Sequence, residues 1–498
     1  MDVQDFTDFF GKQGLPITFS LSASSHVGTF ANGTATATLD FDRGLYTMND
    51  FQHFFAFNDK LSFLEAVSLT AADGTGAHRY LKRADGGNTF IAGSGWSIDL
   101  ASYQIPLYYS SSKAYLPLST YSDLFINPIG AAMVYNTKAV FFAADLTPLL
   151  SLYYLDEVKG ERSEKLAQFT YHEFCMNMDH NYGLKEVHGI TTFDDFISKT
   201  GLKSDLLSKD AKVSSTAYSK FILGYLDDSH SGVNLSSYLC GNVPMILLDY
   251  YGPSMTEKNN AAIPYSTARA AAYSEGIKPY EVVGNDTAVI TFDQFDTATS
   301  NYYTKAPTAE DAAKDTMALV SYANAQIASN SAIKNVVLDL SLNGGGAIDA
   351  AAFLLSWMLG GVTLHTMDPF DGAKASITYY GDTNFDGVFD SSDFLTGKKM
   401  YCLTSGSSFS CGNLVPSLFK EAGAVTLMGR TSGGGACVVG HSSLADGTFM
   451  QYSSQAVLCT RKNGSYYSVD RGAEPDVIID DPATFYNRTA LRAKILSL

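Results

Sequence analysis

The chain has 498 residues, 46% of them hydrophobic, so it is long enough for roughly two to four packed domains, and general disorder is excluded. Its formal net charge is −17, and a surface of that sign repels phosphate backbones, so nucleic acid is not expected as a partner. No apolar run is long enough to cross a bilayer, so we expect no transmembrane segment.

Composition also indicates where the protein works. The chain contains 30 Tyr and 31 Phe but only 34 Lys and Arg together, a balance typical of secreted bacterial proteins. We therefore expect a secreted or cell-surface protein. The sequence opens at Met1-Asp2-Val3 without a recognisable signal peptide, as a trimmed mature chain would, and as a cytosolic protein would too. The cysteines form no C-x-x-C pair, which argues against a zinc ribbon and leaves disulfide pairing open.

Residues 1–150 are predicted to form a β-rich N-terminal domain. Residues 35–41 alternate between small or apolar and polar side chains, the period of a strand, and Gly, Asn and Asp turns separate such stretches. The stretch 114–143 resembles the small module at the N-terminus of copper amine oxidases and on bacterial surface proteins. It carries no copper ligand set, so no chemistry is assigned to it.

Residues 151–285 are predicted to be a helical segment and connector, and residues 286–498 an α/β core. In this last part strands alternate with helices. Strands are expected at 287–292, 335–340, 400–404 and 425–428, and helices at 308–327, 348–359 and 411–422. This alternation predicts a sheet with helices packed on its faces.

A glycine run follows the second of these strands. Asp339 to Leu342 lead into Asn343-Gly344-Gly345-Gly346 and then a helix. Glycines there expose backbone N–H groups and allow another chain to approach closely, as half of an oxyanion hole requires. A plain strand–helix turn would have the same sequence.

Ser410 and His230 are the side chains that could carry chemistry. Ser410 lies where a strand passes into a helix, beside unpaired N–H donors and the positive end of the helix dipole. A serine there is a nucleophile or simply a helix cap. His230 lies between small polar residues just past a helix, where it is a base or a structural histidine.

Four motifs in order resemble the C-terminal-processing (tail-specific) and tricorn-type serine peptidases. Asp228-Ser229-His230-Ser231 is similar to the family's Asp-x-His-Thr/Ser, and Asp339–Gly346 to its Asp-Leu-Arg-x-Asn-Gly-Gly-Gly. Ser408–Asn413 is similar to its Ser-x-Ser-Ala-x-Glu, whose second serine is the nucleophile, and Gly472–Asp476 to its Gly-x-x-Pro-Asp. The resemblance covers about residues 160–485. It implies a crotonase/ClpP-like peptidase core that acts on a peptide or protein substrate without a catalytic cofactor.

The chain departs from the family at three motif positions. Ser341 replaces the Arg, Asn413 replaces the Glu, and Gly434 stands where many members carry the lysine of a Ser–Lys dyad. Because glycine accepts no proton, the resemblance points to the branch that uses histidine as base. The stretch 241–285 is also too short for the PDZ domain that is usual there, which puts recognition of substrate C-termini in doubt.

The resemblance therefore implies a Ser–His–acid site. His230 removes the proton of Ser410, with Asp470 or Glu474 as the acid that orients the imidazole. Asp470 is preferred because the branch places its acid just before the closing glycine, and His441 is a reserve base. The oxyanion would be held by the N–H groups of Cys411 and of one glycine among Gly344, Gly345 and Gly346, with Gly345 preferred.

Two other functions stay open at this point, together with the oligomeric state. One is a catalytically inactive pseudo-peptidase with the same fold, which the three departures suggest. The other is a surface protein that binds carbohydrate or lipid, which the abundant aromatic residues and the N-terminal module suggest.

Residues 382–393 resemble a dockerin or EF-hand calcium loop. Counting from Asp382, side-chain oxygens fall at positions 1, 3, 5, 9 and 12, a glycine at position 6 and a carbonyl at position 7. Oxygen ligands at this spacing suit Ca²⁺, so a structural calcium ion is expected; an acidic turn without an ion is the alternative. The predicted ligands are Asp382, Asn384, Asp386, the Val388 carbonyl, Asp390 and Asp393.

Overall fold

The computed structural model describes residues 1–69, 78–143, 160–240 and 248–498. Its N-terminal part is a twisted antiparallel sheet in the order β1-β2-β3-β4-β7, with its own core around buried Phe30, Tyr46 and Phe54. The strands are β1 (Thr18–Ser22), β2 (Val27–Asn32), β3 (Ala35–Asp40), β4 (Leu45–Met48) and β7 (Trp96–Asp99). Short hairpins β8–β9 (Tyr108–Ser110, Lys113–Tyr115) and β10–β11 (Ala132–Tyr135, Val140–Ala143) follow.

A parallel sheet forms the centre of the C-terminal part, in the order β13-β14-β15-β18-β19-β23. Only β13 runs antiparallel to its neighbour. Its central strands β14 and β15 are buried at every residue, as strands covered on both faces must be. The strands are β13 (Tyr280–Val283), β14 (Thr287–Thr291), β15 (Asn335–Asp339), β18 (Lys399–Thr404), β19 (Val425–Gly429) and β23 (Val477–Ile478).

A second, antiparallel sheet has the order β12-β21-β16-β17-β5, with β20 and β22 on β21 and β6 on β17. Its strands are β5 (Leu81–Arg83), β6 (Thr89–Ile91), β12 (Gly232–Leu235), β16 (Val362–Met367), β17 (Lys374–Gly381), β20 (Cys437–Ser443), β21 (Phe449–Lys462) and β22 (Ser465–Ser468). β5 and β6 come from the predicted N-terminal domain, so residues 81–91 complete a sheet of the core.

Helices pack on the sheets of both the N-terminal part and the core. They are α1 (Val3–Lys12), α2 (Phe51–Phe54), α3 (Leu118–Tyr121), α4 (Glu164–Asn181), α5 (Phe193–Thr200), α6 (Lys203–Leu206), α7 (Ala211–Lys220), α8 (Pro253–Ala272), α9 (Thr316–Ser329), α10 (Ile348–Leu359), α11 (Cys411–Ala422), α12 (Ala483–Tyr486) and α13 (Arg488–Leu496). None of the helices in the described part of the chain is long and apolar enough to cross a membrane.

The predicted α/β class is confirmed, and the predicted strands and two of the predicted helices are found within one or two residues. The predicted start of α9 at Thr308 is wrong. Thr308 and Asp311 do exchange capping hydrogen bonds, but these close a short 3₁₀ turn, and α9 starts after Asp315, whose carboxylate accepts from Ala318 N at 2.7 Å. The predicted boundary at 150/151 lies outside the described residues.

The topology brings the predicted site residues together. β15 and β18 are parallel neighbours, so the glycine run after β15 and the Ser410 loop after β18 leave the sheet at the same edge. His230 precedes β12, and β12 and β20 both pair with β21, so the antiparallel sheet carries His230 and residues 433–436 toward that edge.

Candidate active site

Ser410 has a strained backbone at the start of α11. Its φ is 56° and its ψ −122°, a region that non-glycine residues rarely adopt. Its N–H donates to the Gly434 carbonyl at 2.9 Å, and its carbonyl accepts from the first turn of α11. Its side chain makes no capping hydrogen bond to the helix, so Ser410 does not act as the simple side-chain cap considered above. Such a turn between a strand and a helix is the geometry that presents a nucleophile.

The glycine run packs directly against Ser410. A Cβ at Gly345 would lie 2.5 Å from Ser410 Cβ and 3.0 Å from its Oγ, and the φ of Gly345 is +107°. Only glycine fits this contact. The Asn343 carbonyl also accepts from Phe409 N at 3.0 Å, so the two loops are joined by hydrogen bonds.

Two of the glycine amides are engaged in this conformation. Gly344 N donates to the Asp293 carbonyl, and Gly345 N donates to the side-chain oxygen of Asn343, both at 2.9 Å. Cys411 N is the first amide of α11 and has no partner within its own helix. The oxyanion roles of Gly344, Gly345 and Cys411 stay predictions; within the described part of the chain, no backbone carbonyl accepts from Cys411 N.

His230 lies beside the Ser410 loop. Its ring is 4.7 Å from the ring of Phe409, the residue before Ser410, and the residue is 6% exposed. Both imidazole nitrogens lack a hydrogen-bond partner among the described residues, so no hydrogen bond joins them to Ser410 here. Burial lowers the pKa of His230, against the opposing pull of Asp228, which leaves the imidazole neutral and able to accept a proton.

Asp228 shapes the segment that presents His230. One of its carboxylate oxygens accepts from His230 N at 3.0 Å, and the other accepts from Ser231 Oγ at 2.6 Å. Gln451 on β21 adds a hydrogen bond to the His230 carbonyl at 2.9 Å. The backbone of His230 is therefore fixed on both sides while its ring is left unbonded.

The two predicted acids, Asp470 and Glu474, have different surroundings. Asp470 Oδ1 accepts from Gly435 N and Ala436 N at 3.2 and 3.1 Å, and its charge acts on His230, raising the pKa of that residue. Glu474 is exposed, and Lys420 Nζ donates to its backbone carbonyl at 2.7 Å. The geometry thus favours Asp470 over Glu474.

His441 lies on β20, with its ring stacked on that of Phe449 at 5.5 Å. Its Cα register partner on β21 is Gln451, the residue that holds the His230 carbonyl. No contact between His441 and Ser410 appears in the described part of the chain.

Gly434 cannot be the position of a base. A Cβ there would lie 2.1 Å from the Asp470 carbonyl oxygen, and its φ is +78°. A lysine at 434 is therefore excluded by the local backbone as well as absent from the sequence.

Asn413 and Ser341, the other two departures, are built into hydrogen-bond networks. Asn413 Nδ2 donates to the Val469 carbonyl at 2.8 Å, and its oxygen accepts from Ser432 Oγ at 2.6 Å, so it ties α11 to the two loops around Asp470. Ser341 Oγ donates to Asp339 at 2.6 Å.

A guanidinium from a distant segment pairs with Asp339, the first residue of this motif. Arg488 Nη1 donates to Asp339 Oδ2 at 3.0 Å, and both side chains are buried. No sequence pattern links these two residues. Their contact arises because α13 packs back against the parallel sheet.

Lys258 is a second residue that the sequence motifs did not indicate. It lies on α8, in the segment 241–285 that was expected to hold no PDZ domain, and its ammonium is 3.3 Å from the centroid of the Phe409 ring. Burial lowers its pKa to about 8. A single lysine on a connecting helix gives no signal of this contact in the sequence.

The predicted calcium loop closes on itself through its carboxylates. Asp382 accepts from Asp386 N and Gly387 N at 3.2 and 2.8 Å, and Asp393 accepts from Thr383 N and Asp390 N at 2.7 and 3.0 Å. Across the described ranges, no group of three or more His, Cys, Asp and Glu side chains is arranged to hold a metal ion. Calcium binding stays a prediction.

Comparison with known protein families gives a match within the α/β core. The model of peptidase family S41 matches residues 286–479, a segment that includes the glycine run, Ser410 and Asp470 and begins after His230. The predicted family resemblance is confirmed for this segment. No curated protein matches the chain.

The solved structures resemble this chain only weakly. A putative peptidase from Parabacteroides merdae ATCC 43184 has a TM-score of 0.47 and 15% identity, over 66% of this chain and 95% of its own. Mature CPAF complexed with lactacystin has a TM-score of 0.42 and 11% identity, over 67% and 98%. The photosystem II D1 C-terminal processing protease has a TM-score of 0.29 and 16% identity, over 41% and 49%. These values are too low to add to the family match. Residues 286–479 of this chain are a peptidase family S41 domain.

Proposed function

We propose that the protein is a secreted or cell-surface serine peptidase that hydrolyses peptide bonds through Ser410, His230 and Asp470. The observation that carries the proposal is the strained backbone of Ser410 at the start of α11, packed against Gly345 and next to the Phe409–His230 contact. In this proposal Ser410 is the nucleophile, neutral His230 is the base and backbone amides hold the oxyanion, which are the elements that acyl transfer needs.

The reaction follows from these roles. His230 accepts the proton of Ser410 as the oxygen attacks the peptide carbonyl, and the tetrahedral oxyanion is held by Cys411 N together with an amide of the glycine run. The imidazolium then gives its proton to the leaving amine, and an acyl-enzyme remains on Ser410. Water, deprotonated by His230, releases the acid product and restores the serine.

Asp470 has one carboxylate oxygen left for the imidazole. Oδ1 is taken by two amides, which fix the carboxyl group, while Oδ2 makes no hydrogen bond within the ranges described. In the proposed catalytic arrangement, one ring N–H of His230 donates to Oδ2 and the other ring nitrogen accepts the Ser410 proton. Catalytic hydrogen bonds are often longer or absent before substrate binds.

The proposal is tested by hydrolysis of an unbiased peptide library, with cleavage products identified by mass spectrometry. The wild-type chain is expected to cleave peptides, and Ser410→Ala, with an unchanged circular dichroism spectrum, is expected to cleave none. A folded wild-type chain that cleaves nothing would support the inactive alternative instead.

The three departures from the family motif do not favour an inactive protein. Ser341 and Arg488 both hydrogen-bond Asp339, Asn413 organises the loops around Asp470, and Gly434 leaves room for the Asp470 backbone. Each departure is accommodated in a way that keeps the nucleophile's loop in place.

We further propose a structural calcium ion at residues 382–393. The carboxylates of Asp382 and Asp393 converge on this turn. Titration calorimetry with Ca²⁺ tests this directly: the wild-type chain should bind and Asp386→Ala should not, while a wild-type chain without a binding signal would remove the proposal.

A further inference from the structure

Helix α8 is anchored beside the active site by polar contacts. At its start, the Asp227 carboxylate accepts from Ser254 N and Met255 N at 2.7 and 3.0 Å. Near its end, Arg269 makes a two-pronged ion pair with Asp293 at 2.6 and 2.7 Å. Met255 and Tyr265 are its fully buried side chains and Lys258 is half-buried, so these anchors, rather than a large apolar face, set the position of Lys258.

Lys258 and His230 contact the same aromatic ring. The Lys258 ammonium is 3.3 Å from the Phe409 centroid, and the His230 ring is 4.7 Å from it. The ammonium and the imidazole therefore lie no farther apart than about 8 Å, which is close to the Debye length at physiological ionic strength. Because His230 is buried, the interaction between them is screened less than it would be in water.

Three charged groups act on His230 from three segments. Asp228, on its own segment, and Asp470, after β22, favour the protonated imidazole, while Lys258 on α8 favours the neutral form. Asp228 already accepts from His230 N and Ser231 Oγ, and Lys258 forms no ion pair within 4 Å among the described residues. The positive charge of Lys258 therefore continues to favour the neutral form of the imidazole.

We propose that Lys258 is a positioning residue for proton transfer, whose ammonium keeps His230 unprotonated against the pull of Asp228 and Asp470. This inference rests on the proposed roles of Ser410 and His230. Its consequence is that the enzyme keeps its base form, and so its activity, at lower pH than it would without Lys258. Because the pKa of Lys258 is lowered to about 8, the ammonium is charged throughout the pH range in which His230 titrates.

The variant that tests this is Lys258→Met, which keeps the apolar stem over Phe409 and removes the charge. The acid limb of its kcat/KM profile is expected to move to higher pH by roughly 0.4–1.5 pH units, the range that effective dielectric constants of about 80 and 20 give for unit charges about 8 Å apart. Lys258→Arg should restore the wild-type limb. Lys374→Met, which removes a cation from the Tyr466 ring, is the matched control and should leave the limb unchanged.

A second readout does not depend on turnover. In the Ser410→Ala background with ¹³C-labelled histidine, the His230 signal is assigned by its loss in His230→Gln, and its titration is followed by NMR. The midpoint should rise in Lys258→Met and return in Lys258→Arg. Such shifts in a protein that hydrolyses nothing would leave this inference standing and overturn the proposed function.

Two results would overturn the role of Lys258. One is a His230 titration that coincides in the wild-type and Lys258→Met chains. The other is an effect of Lys258→Met confined to the KM of acidic peptides with an unchanged acid limb, which would make Lys258 a contact to substrate.

Discussion

Arg488 donates to the carboxylate of Asp339 at 3.0 Å, although 149 residues separate them in the chain. Asp339 ends β15, directly before the turn to the glycine run, so this ion pair stabilises the strand end from which the Ser410 contact is built. Arg488 also bonds Glu281 at 2.8 Å and Thr291 Oγ1 at 2.8 Å, which connects α13 to β13 and β14.

Arg488→Met is expected to lower the free energy of unfolding by about 3–5 kcal/mol, because it leaves the buried Asp339 carboxylate without its counter-ion. Urea unfolding measures this. Arg492→Met breaks a comparable pair with Asp286 at the surface, where salt bridges contribute little, and serves as the control. Equal unfolding curves for the two variants would contradict the assignment.

Asp470→Asn is expected to reduce kcat by up to about 10⁴-fold, the effect of losing the orienting carboxylate in a Ser–His–Asp site. The amide oxygen can still accept from Gly435 and Ala436, so the fold should be kept. Glu474→Gln changes an exposed side chain and should leave kcat unchanged. The reverse result in a steady-state assay would assign the acid to Glu474.

The pH dependence of kcat/KM should follow His230. Burial lowers the pKa of this residue below its ordinary value of 6.5, so the imidazole stays neutral as the pH falls past 6.5 and is protonated only at lower pH. A protonated imidazole cannot accept the Ser410 proton, so activity is lost with decreasing pH along a limb centred below 6.5. A limb centred above 6.5 would argue against His230 as the base.

Gly434→Ala should be more destabilising than Gly423→Ala. Both glycines have positive φ, which costs alanine about 1–2 kcal/mol, but a Cβ at Gly423 meets nothing, whereas one at Gly434 lies 2.1 Å from the Asp470 carbonyl. Relieving that clash is expected to add about 1–3 kcal/mol. Thermal unfolding of the two variants measures the difference, and equal costs would remove the steric argument against a lysine at 434.

Local patterns predicted the part of the fold that positions Ser410. The apolar strand 335–340, the glycine run and the helix at 411–422 carry their signals in adjacent residues, and parallel pairing of β15 and β18 then brings the loops together. The start of α9 was misplaced because Thr308 and Asp311 form a real capping pattern that closes only a short turn.

Contacts between distant segments left no such signal. Lys258 reaches Phe409 because Asp227 and Arg269 anchor α8, and Arg488 reaches Asp339 because α13 folds back. Engagement of Gly345 N by the Asn343 side chain depends on backbone angles that the letters Asn-Gly-Gly-Gly do not specify. These contacts are decided by tertiary packing, which propensity and motif spacing do not contain.

The most direct test of the account is covalent labelling with a fluorophosphonate, read by intact mass and peptide mapping. The account predicts one adduct, located on Ser410, whose formation slows strongly in His230→Gln because the serine is no longer activated. The adduct should be absent from folded Ser410→Ala. Labelling that continues unchanged in Ser410→Ala would contradict the assignment of Ser410 as the nucleophile.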